Sequence, residues 1–254
     1  MGHFYKQYKF MTKIPSEMLW LVYPLITILS LGIFASFIIS KGGPTDTLLF
    51  IFVGFVAWNM YDISQRAITF AITFDIWDGC MKHSMITSSR IKDFVIGNAL
   101  FGLLTSVIGT LGMGLIGFLL FNFNIFSIGI YLILALPVIF IFATAFGLIV
   151  NSLMITKSHH WMALIWISGA IMMIFSGVFY PISVLPEPVQ IFSYALPTTH
   201  GIDAMRSAYN SSFGAANTSI IYGFVLSIIY LVITYYIFKK AIRHSKKTGV
   251  MTWY

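Results

Sequence analysis

The chain has 254 residues, of which 58% are hydrophobic and 9% are charged, whereas soluble domains carry about 25% charged residues. A soluble fold of this length cannot bury so much apolar surface. The composition therefore excludes that class and predicts an all-α polytopic membrane protein, folded as one integral domain over residues 1–254. The net charge of +7 comes from basic residues beside apolar runs, which is an orientation signal and not a nucleic-acid-binding pattern.

Residues 1–18 predict an amphipathic helix that lies on the cytoplasmic surface of the membrane. Phe4, Tyr8 and Met11 recur at helical spacing, and three lysines fall on another side of the same helix. Pro15 is expected to end this helix and to turn the chain into the first span. A disordered basic tail is the alternative interpretation.

Six apolar runs have about the 20 residues that a helix needs to cross a bilayer. If all six cross, thirteen basic residues lie on one side of the membrane, and only Lys41 and Arg206 lie on the other. This positive-inside distribution predicts a multi-pass protein of the cytoplasmic (inner) membrane with both termini in the cytoplasm. The predicted spans are approximately 19–39, 48–70, 94–121, 128–150, 161–179 and 219–238.

The second span is polar in its cytoplasmic half, where Asn59, Asp62 and Arg66 occur. Asp62 and Arg66 are four residues apart and can pair on one face of a helix. Ionisable residues inside a membrane are functional candidates by default, so these three residues are predicted to line a transport pathway. A structural ion pair between packed helices is the alternative.

The segment 74–93, between the second and third spans, is cytoplasmic in this topology and partly amphipathic. Trp77, Met81 and Met85 offer apolar contacts beside the polar Asp78 and Lys82. An exposed tryptophan and methionine cluster suits docking to a groove on a soluble partner. A surface helix that lies parallel to the membrane is the alternative.

The third span carries small and polar residues at every fourth position. A ridge of this kind lets two helices approach each other closely. Close helix packing is the favoured interpretation, and a polar substrate groove is the alternative. The residues of this ridge are Asn98, Gly102, Ser106, Thr110 and Gly114.

The segment 180–213 contains four of the eight prolines of the chain, yet it stays apolar and aromatic between them. It predicts two re-entrant half-helices that enter the membrane from the outer side, because irregular backbone at that depth must be buried in protein or must line a cavity. This segment is the candidate outer gate. Its candidate residues are Phe179, Tyr180, Pro181, Pro186, Pro188, Pro197, His200, Asp203 and Arg206.

Catalytic and nucleotide-binding motifs are not found. His200 and Asp203 are three residues apart, but no nucleophile, metal-ligand set or cofactor motif accompanies them, so a capping or hydrogen-bonding role for Asp203 is favoured over catalysis. The sequence has no G-x-x-x-x-G-K-[ST] motif. If the protein transports a substrate at the expense of ATP, the ATPase is therefore a different polypeptide.

Two stretches of the sequence resemble ABC-2 type exporter permeases. Residues 76–98, IWDGCMKHSMITSSRIKDFVIGN, are similar to the coupling segment of the nodulation-factor and daunorubicin exporter permeases. Residues 175–207 resemble the signature of the family, with FSG, an aromatic-Pro pair, LP, and a late LP before a histidine and an arginine. Polysaccharide exporter permeases are more distantly similar. The coupling turn departs from the family pattern, because residues 86–90 contain no proline.

The resemblance implies that two copies of the permease, as a homodimer surrounded by membrane lipids, form the pathway and that two ABC ATPase subunits dock beneath them. ATP and Mg²⁺ would bind to those subunits, while this chain would bind no cofactor or metal and would catalyse no reaction. The expected substrate is a lipid-linked saccharide, a polysaccharide or a hydrophobic drug. The residues expected to couple the two proteins are Trp77, Asp78, Met81, Lys82, Met85 and Arg90.

Two alternative functions stay open at this point. The first is a membrane-embedded enzyme that uses His200 and Asp203. The second is a secondary transporter, although no convincing internal repeat of the kind found in many such folds is visible.

Overall fold

The fold is described from a computed structural model, which describes residue 5 and residues 15–44, 46–77, 91–157 and 163–248. Within these residues the chain is helical and contains no strand, as the composition predicted. The elements are α1 (Pro15–Ser40), α2 (Thr47–Trp77), α3 (Ile91–Phe121), a 3-10 helix (Ile125–Ile128), α4 (Ile130–Lys157), α5 (Ala163–Phe175), a second 3-10 helix (Ile182–Val184), α6 (Glu187–Tyr194), α7 (Pro197–Tyr209) and α8 (Phe213–Thr248).

Five of the described helices are long and apolar enough to cross a membrane. The sixth predicted span corresponds to α5, which has 13 residues and is therefore about 20 Å long. That length is less than the thickness of a bilayer core, about 30 Å, so the six-span topology stays a prediction. The five candidate spans are Val22–Ser40, Thr47–Ala71, Ile91–Phe121, Ile130–Thr156 and Phe213–Lys247.

The described helices extend beyond several of the predicted apolar runs. Helix α1 begins at Pro15, so this proline lies in the first turn of the first spanning helix. Proline suits the first turn of a helix, where its missing N–H has no intrahelical partner. Helix α2 continues to Trp77, so residues 74–77 of the predicted coupling segment are its last turn.

The last helix, α8, has 36 residues, starts before the predicted residue 219 and continues well past 238. Its basic C-terminal part is therefore helical rather than an irregular tail. Residues 6–14 and 78–90, which hold most of the predicted interfacial helix and most of the coupling segment, lie outside the described residues.

Helix α2 lies at the centre of the bundle, where it packs against α1, α3, α4, α5 and α7. Its side chains Phe52, Met60 and Tyr61 are almost completely buried. The outward faces of α1, α3 and α8, in contrast, expose large apolar side chains such as Phe37 and Leu119, and these faces form the surface that suits lipid. Of these four helices, only α2 is thus surrounded by protein on nearly all sides. It carries polar side chains midway along its length.

The turns at one end of the bundle meet one another. The ring of Phe123, after α3, stacks on that of Tyr209 at the end of α7, and the ring of Tyr131 at the start of α4 stacks on that of Phe213. We call this end, which also holds the α1–α2 connection, the outer end. The basic part of α8 lies at the opposite, inner end.

The ridge on α3 is buried, with Gly102, Ser106, Thr110 and Gly114 all among its buried residues. Gly102 faces α2, and a Cβ at this position would lie 3.2 Å from the Cβ of Ala67 and 3.3 Å from the carbonyl oxygen of Ser64. The two helix backbones can approach this closely because Gly102 has no side chain.

We predict that Gly102→Val separates α2 from α3 and lowers the thermal unfolding midpoint of the purified protein. Overpacking of a tight contact typically costs about 1–3 kcal/mol. Gly214→Val is the matched control, because a Cβ at Gly214 has no neighbouring atom within 4 Å. Equal midpoints for the two variants would contradict the close contact.

Candidate functional site at the outer end of the bundle

The proline-rich segment between α5 and α8 forms two short helices, α6 and α7, with sharp breaks around them. Pro181 precedes the second 3-10 helix, and Pro186 precedes α6. Pro188 lies in the first turn of α6, and Pro197 is the first residue of α7. Each proline therefore occupies a position where a helix does not need its N–H. The predicted pair of short helices is present, and their entry into the membrane from the outer side stays a prediction.

The two short helices differ in burial. Helix α7 packs against α4 and α8 and reaches α2, and most of its residues are buried. Helix α6 lies outside it and exposes Ile191, Phe192 and Tyr194, with Ile191 75% exposed. Helix α7 thus fills the outer end of the bundle, while α6 presents an apolar surface.

Polar side chains fasten these helices to one another. The hydroxyl groups of Ser176 and Thr198 lie 2.5 Å apart, and the Thr199 hydroxyl donates to the Ser193 carbonyl oxygen at 2.7 Å. The Nε2 atom of His200 lies 2.9 Å from the Tyr194 carbonyl oxygen. His200 thus connects α7 to the end of α6.

Arg206, on α7, connects three separate segments. Its Nη1 donates to the Gly177 carbonyl oxygen at 2.8 Å. Its Nη2 donates to the carbonyl oxygens of Val178 at 2.7 Å and Phe50 at 3.0 Å. The guanidinium carbon also lies 3.5 Å from the centre of the Phe50 ring, within the range of a cation–π contact. We call Arg206, Phe50, Gly177 and Val178 the Arg206 cluster.

The Arg206 cluster depends on a glycine in α2. A Cβ at Gly54 would collide with the Val178 carbonyl oxygen and with the Arg206 guanidinium. Burial lowers the pKa of Arg206 to about 10, and the Asp203 carboxylate opposes this shift. The guanidinium thus stays protonated at neutral pH, and its charge is met chiefly by backbone carbonyl oxygens.

An open groove of about 650 Å³ lies beside the Arg206 cluster, between the end of α1, the start of α2 and the residues that follow α5. The Phe50 ring contributes to the groove wall and also contacts Arg206. Volumes of about 300–1,000 Å³ with a mostly apolar lining are typical of ligand sites. The lining residues are Leu31, Phe34, Ile38, Pro44, Asp46, Thr47, Phe50, Ile51, Phe179, Tyr180 and Pro181.

The predicted ion pair of α2 is present at the junction with α5. The Arg66 Nη2 donates to the Asp62 Oδ2, and the guanidinium carbon lies 5.6 Å from the centre of the Trp166 ring on α5. One turn away, the Trp58 Nε1 donates to the Gly169 carbonyl oxygen at 2.9 Å. These contacts support a helix-packing role for the pair, which is the alternative that the sequence left open.

Asn59 has a different environment from the ion pair. Its amide oxygen faces Gly109 of α3, and the residue is fully buried. In the described part of the chain neither its amide oxygen nor its amide nitrogen has a hydrogen-bond partner. Asn59 thus faces α3, whereas Asp62 faces α5, and the pathway role of the three residues stays a prediction.

The predicted coupling residues lie at the inner end of α2 or beyond it. Trp77 is the last residue of that helix. The other five, Asp78, Met81, Lys82, Met85 and Arg90, lie outside the described residues. Within the described ranges, no group of three or more His, Cys, Asp or Glu residues could hold a metal ion.

A family model described as ABC-2 type transporter matches residues 6–210. The chain belongs to the ABC-2 type transporter family. A comparison with curated proteins gives no match. Members of this family are transport permeases that generally lack catalytic activity and typically work with an ATPase partner. The matched region includes the whole Arg206 cluster, so this ABC-2 permease has the cluster inside the domain that defines its family.

Sequence reasoning identified Arg206 but missed its partners Phe50, Gly177 and Val178. These partners act through backbone carbonyl oxygens, which every residue has and which leave no side-chain pattern. The available signals were two glycines in otherwise apolar stretches, Gly54 inside the second span and Gly177 in the FSG motif.

We predict that Asn59→Leu raises the thermal unfolding midpoint of the ABC-2 permease, because a buried amide without a partner costs about 1–3 kcal/mol. The matched control is Asn151→Leu. Asn151 is equally buried, but its Nδ2 donates to the Ile68 carbonyl oxygen at 2.9 Å, so this change should lower the midpoint. A fall of similar size in both variants would show that Asn59 is hydrogen-bonded.

Proposed function

We propose that this ABC-2 permease is the membrane subunit of an ATP-driven exporter in the cytoplasmic membrane. The observation that carries the proposal is that α7, inside the family domain, is buried against α2, α4 and α8 at the outer end of the bundle, and we infer that it closes this end. A closed outer end is what an alternating-access exporter presents when its pathway faces the cytoplasm. The described residues offer no cluster of reactive side chains that would favour an enzyme.

The charge distribution supports the orientation of this exporter. The basic residues of α8 lie at its inner end, opposite α6 and α7. The remaining basic residues fall mostly on the same side in a six-span topology, with both termini in the cytoplasm. The outer end then faces away from the cytoplasm, so that α6 and α7 stand at the exit.

The groove beside the Arg206 cluster favours a substrate with an apolar part. Its walls include Phe34, Ile38, Phe50 and Tyr180, while Asp46 lies at one edge. A lipid-linked saccharide or a hydrophobic drug can place hydrocarbon against these side chains, and a polysaccharide fits if it is carried on a lipid.

The proposed exporter complex contains two permease copies and two ATPase subunits. ATP and Mg²⁺ bind to the ATPase subunits, whose closure moves the coupling segments of the permeases. The stronger binding of ATP to the closed ATPase dimer supplies the free energy for switching access, as any ligand-driven change requires. The permease contributes the pathway, the outer gate and the surface around Trp77.

We predict that affinity purification of the tagged permease from its native membrane co-purifies an ATPase that has a phosphate-binding loop, in a 1:1 ratio of subunits. Transport by vesicles that contain the complex should stop when ATP is removed. Transport that continues without ATP and collapses with the ion gradient would instead establish a secondary transporter.

The enzyme alternative has its own test. A double variant, His200→Ala with Asp203→Ala, should retain measurable transport, because the proposed function gives these residues no chemical step. Complete loss of activity in a variant that remains folded would favour the membrane-embedded enzyme.

We also predict that Trp77→Ala weakens binding of the ATPase to the permease by about tenfold or more, as truncation of a central aromatic contact commonly does. The control is Trp166→Ala, a half-exposed tryptophan on α5 that contacts Arg66 and lies outside the predicted coupling segment, which should leave the affinity unchanged. Equal affinities of Trp77→Ala and the parent protein in a binding titration would contradict the assignment of this surface.

A further inference from the structure

Arg206 lies between α7, the start of α2 and the connection that follows α5. Its own helix, α7, packs mainly on α8 and α4. Its hydrogen-bond acceptors belong to the first turns of α2 and to the connection that follows α5. The Arg206 guanidinium therefore connects the buried helix α7 to the first turn of the central helix α2.

Helix α2 is suited to carry a displacement from one end of the bundle to the other. It runs without a break from Thr47 to Trp77, a length of about 46 Å for its 31 residues, and it contains no proline. Two other long helices, α1 and α4, have prolines in their interiors, at Pro24 and Pro137. Helix α3 and helix α8 are also free of interior prolines, but α2 is the unbroken helix that carries a member of the Arg206 cluster at one end and the start of the predicted coupling segment at the other.

Side-chain contacts at several heights hold α2 to its neighbours. The Trp58 Nε1 binds the Gly169 carbonyl oxygen of α5, and the Asn151 Nδ2 of α4 binds the Ile68 carbonyl oxygen. Within the described residues, Arg206 supplies the side-chain hydrogen bond between α2 and the segment that contains α6 and α7. If α2 shifts along its axis, the outer segment either follows it or loses this bond.

We propose that Arg206 is the positioning residue that makes α6 and α7 move together with α2, so that a movement of the coupling segment at the inner end reaches the exit. Three properties of the cluster support this role. The planar guanidinium binds three carbonyl oxygens on two segments at once, a geometry that lysine cannot reproduce. The residue is 91% buried, so water cannot replace a hydrogen bond that the Arg206 guanidinium loses. The Phe50 ring covers one face of the guanidinium.

The proposal rests on the proposed function, because it requires an ATPase that moves the coupling segment. The test uses the complete permease–ATPase complex in lipid vesicles. The reporter is Ile191→Cys, a position 75% exposed on α6, in a Cys80→Ser background. A membrane-impermeant maleimide measures its labelling rate without nucleotide and in the ATP-bound state trapped by vanadate.

In the parent complex we expect ATP to change the labelling rate at position 191. Arg206→Lys should abolish this change and the transport while ATP hydrolysis persists. A purely structural effect would instead lower hydrolysis together with protein yield. The matched control Arg243→Lys, at an exposed arginine near the inner end of α8, should keep the full ATP-dependent change.

A milder pair of variants tests the same contact if Arg206→Lys fails to fold. Phe50→Leu removes the ring that covers the guanidinium but keeps the backbone carbonyl, so it should reduce the ATP-dependent change. Phe118→Leu, at an exposed phenylalanine of α3 that is not a member of the cluster, should not reduce it. A full ATP-dependent change in Arg206→Lys, or in Phe50→Leu when Arg206→Lys does not fold, would overturn the proposal.

The two proposals fail in different ways. If an ATPase co-purifies and transport requires ATP, but labelling at position 191 of the parent complex does not respond to ATP, the role of Arg206 is wrong and the exporter function stands. If no ATPase is found and transport does not require ATP, the proposed function itself is wrong.

Discussion

A buried guanidinium in an apolar helix bundle needs hydrogen-bond acceptors. Three segments of the chain come together at the outer end of this protein to meet that need. Helix α5 ends at Phe175, so the carbonyl groups of Gly177 and Val178 lie beyond its last turn and need donors from elsewhere. Arg206 supplies these donors. The two terminal nitrogens of one side chain thus supply donors to a broken helix end, although the buried Nε of Arg206 has no hydrogen-bond partner among the described residues.

The sequence predicted the existence of the long helices well, because lipid imposes a minimum apolar length. It predicted their ends poorly, since a helix does not stop where the bilayer stops. Helix α8 continues through the lysines that follow Phe238, residues that favour helix in water as well. Helix α2 likewise runs on to Trp77. The length of an apolar run therefore reflects the thickness of the membrane and not the length of the helix.

The contacts of the candidate site were predictable only where the spacing of side chains in the sequence indicates them. Asp62 and Arg66 were expected to pair from their spacing alone, and they do. Their environment depends on Trp166, a hundred residues away, which no local pattern indicates. The prolines correctly marked the breaks around α6 and α7. The acceptors of Arg206 were missed because recognition runs through backbone atoms, which only the folded arrangement brings together.

The break between α6 and α7 also limits the length of continuous helix in this segment. Joined end to end, the two helices would be long enough to cross a bilayer. Pro197 prevents this, because the residue before a proline avoids helical geometry, and Leu196 is indeed extended, with φ −89° and ψ 123°. One imino acid thereby keeps α6 and α7 as two short helices in place of one helix of membrane-spanning length.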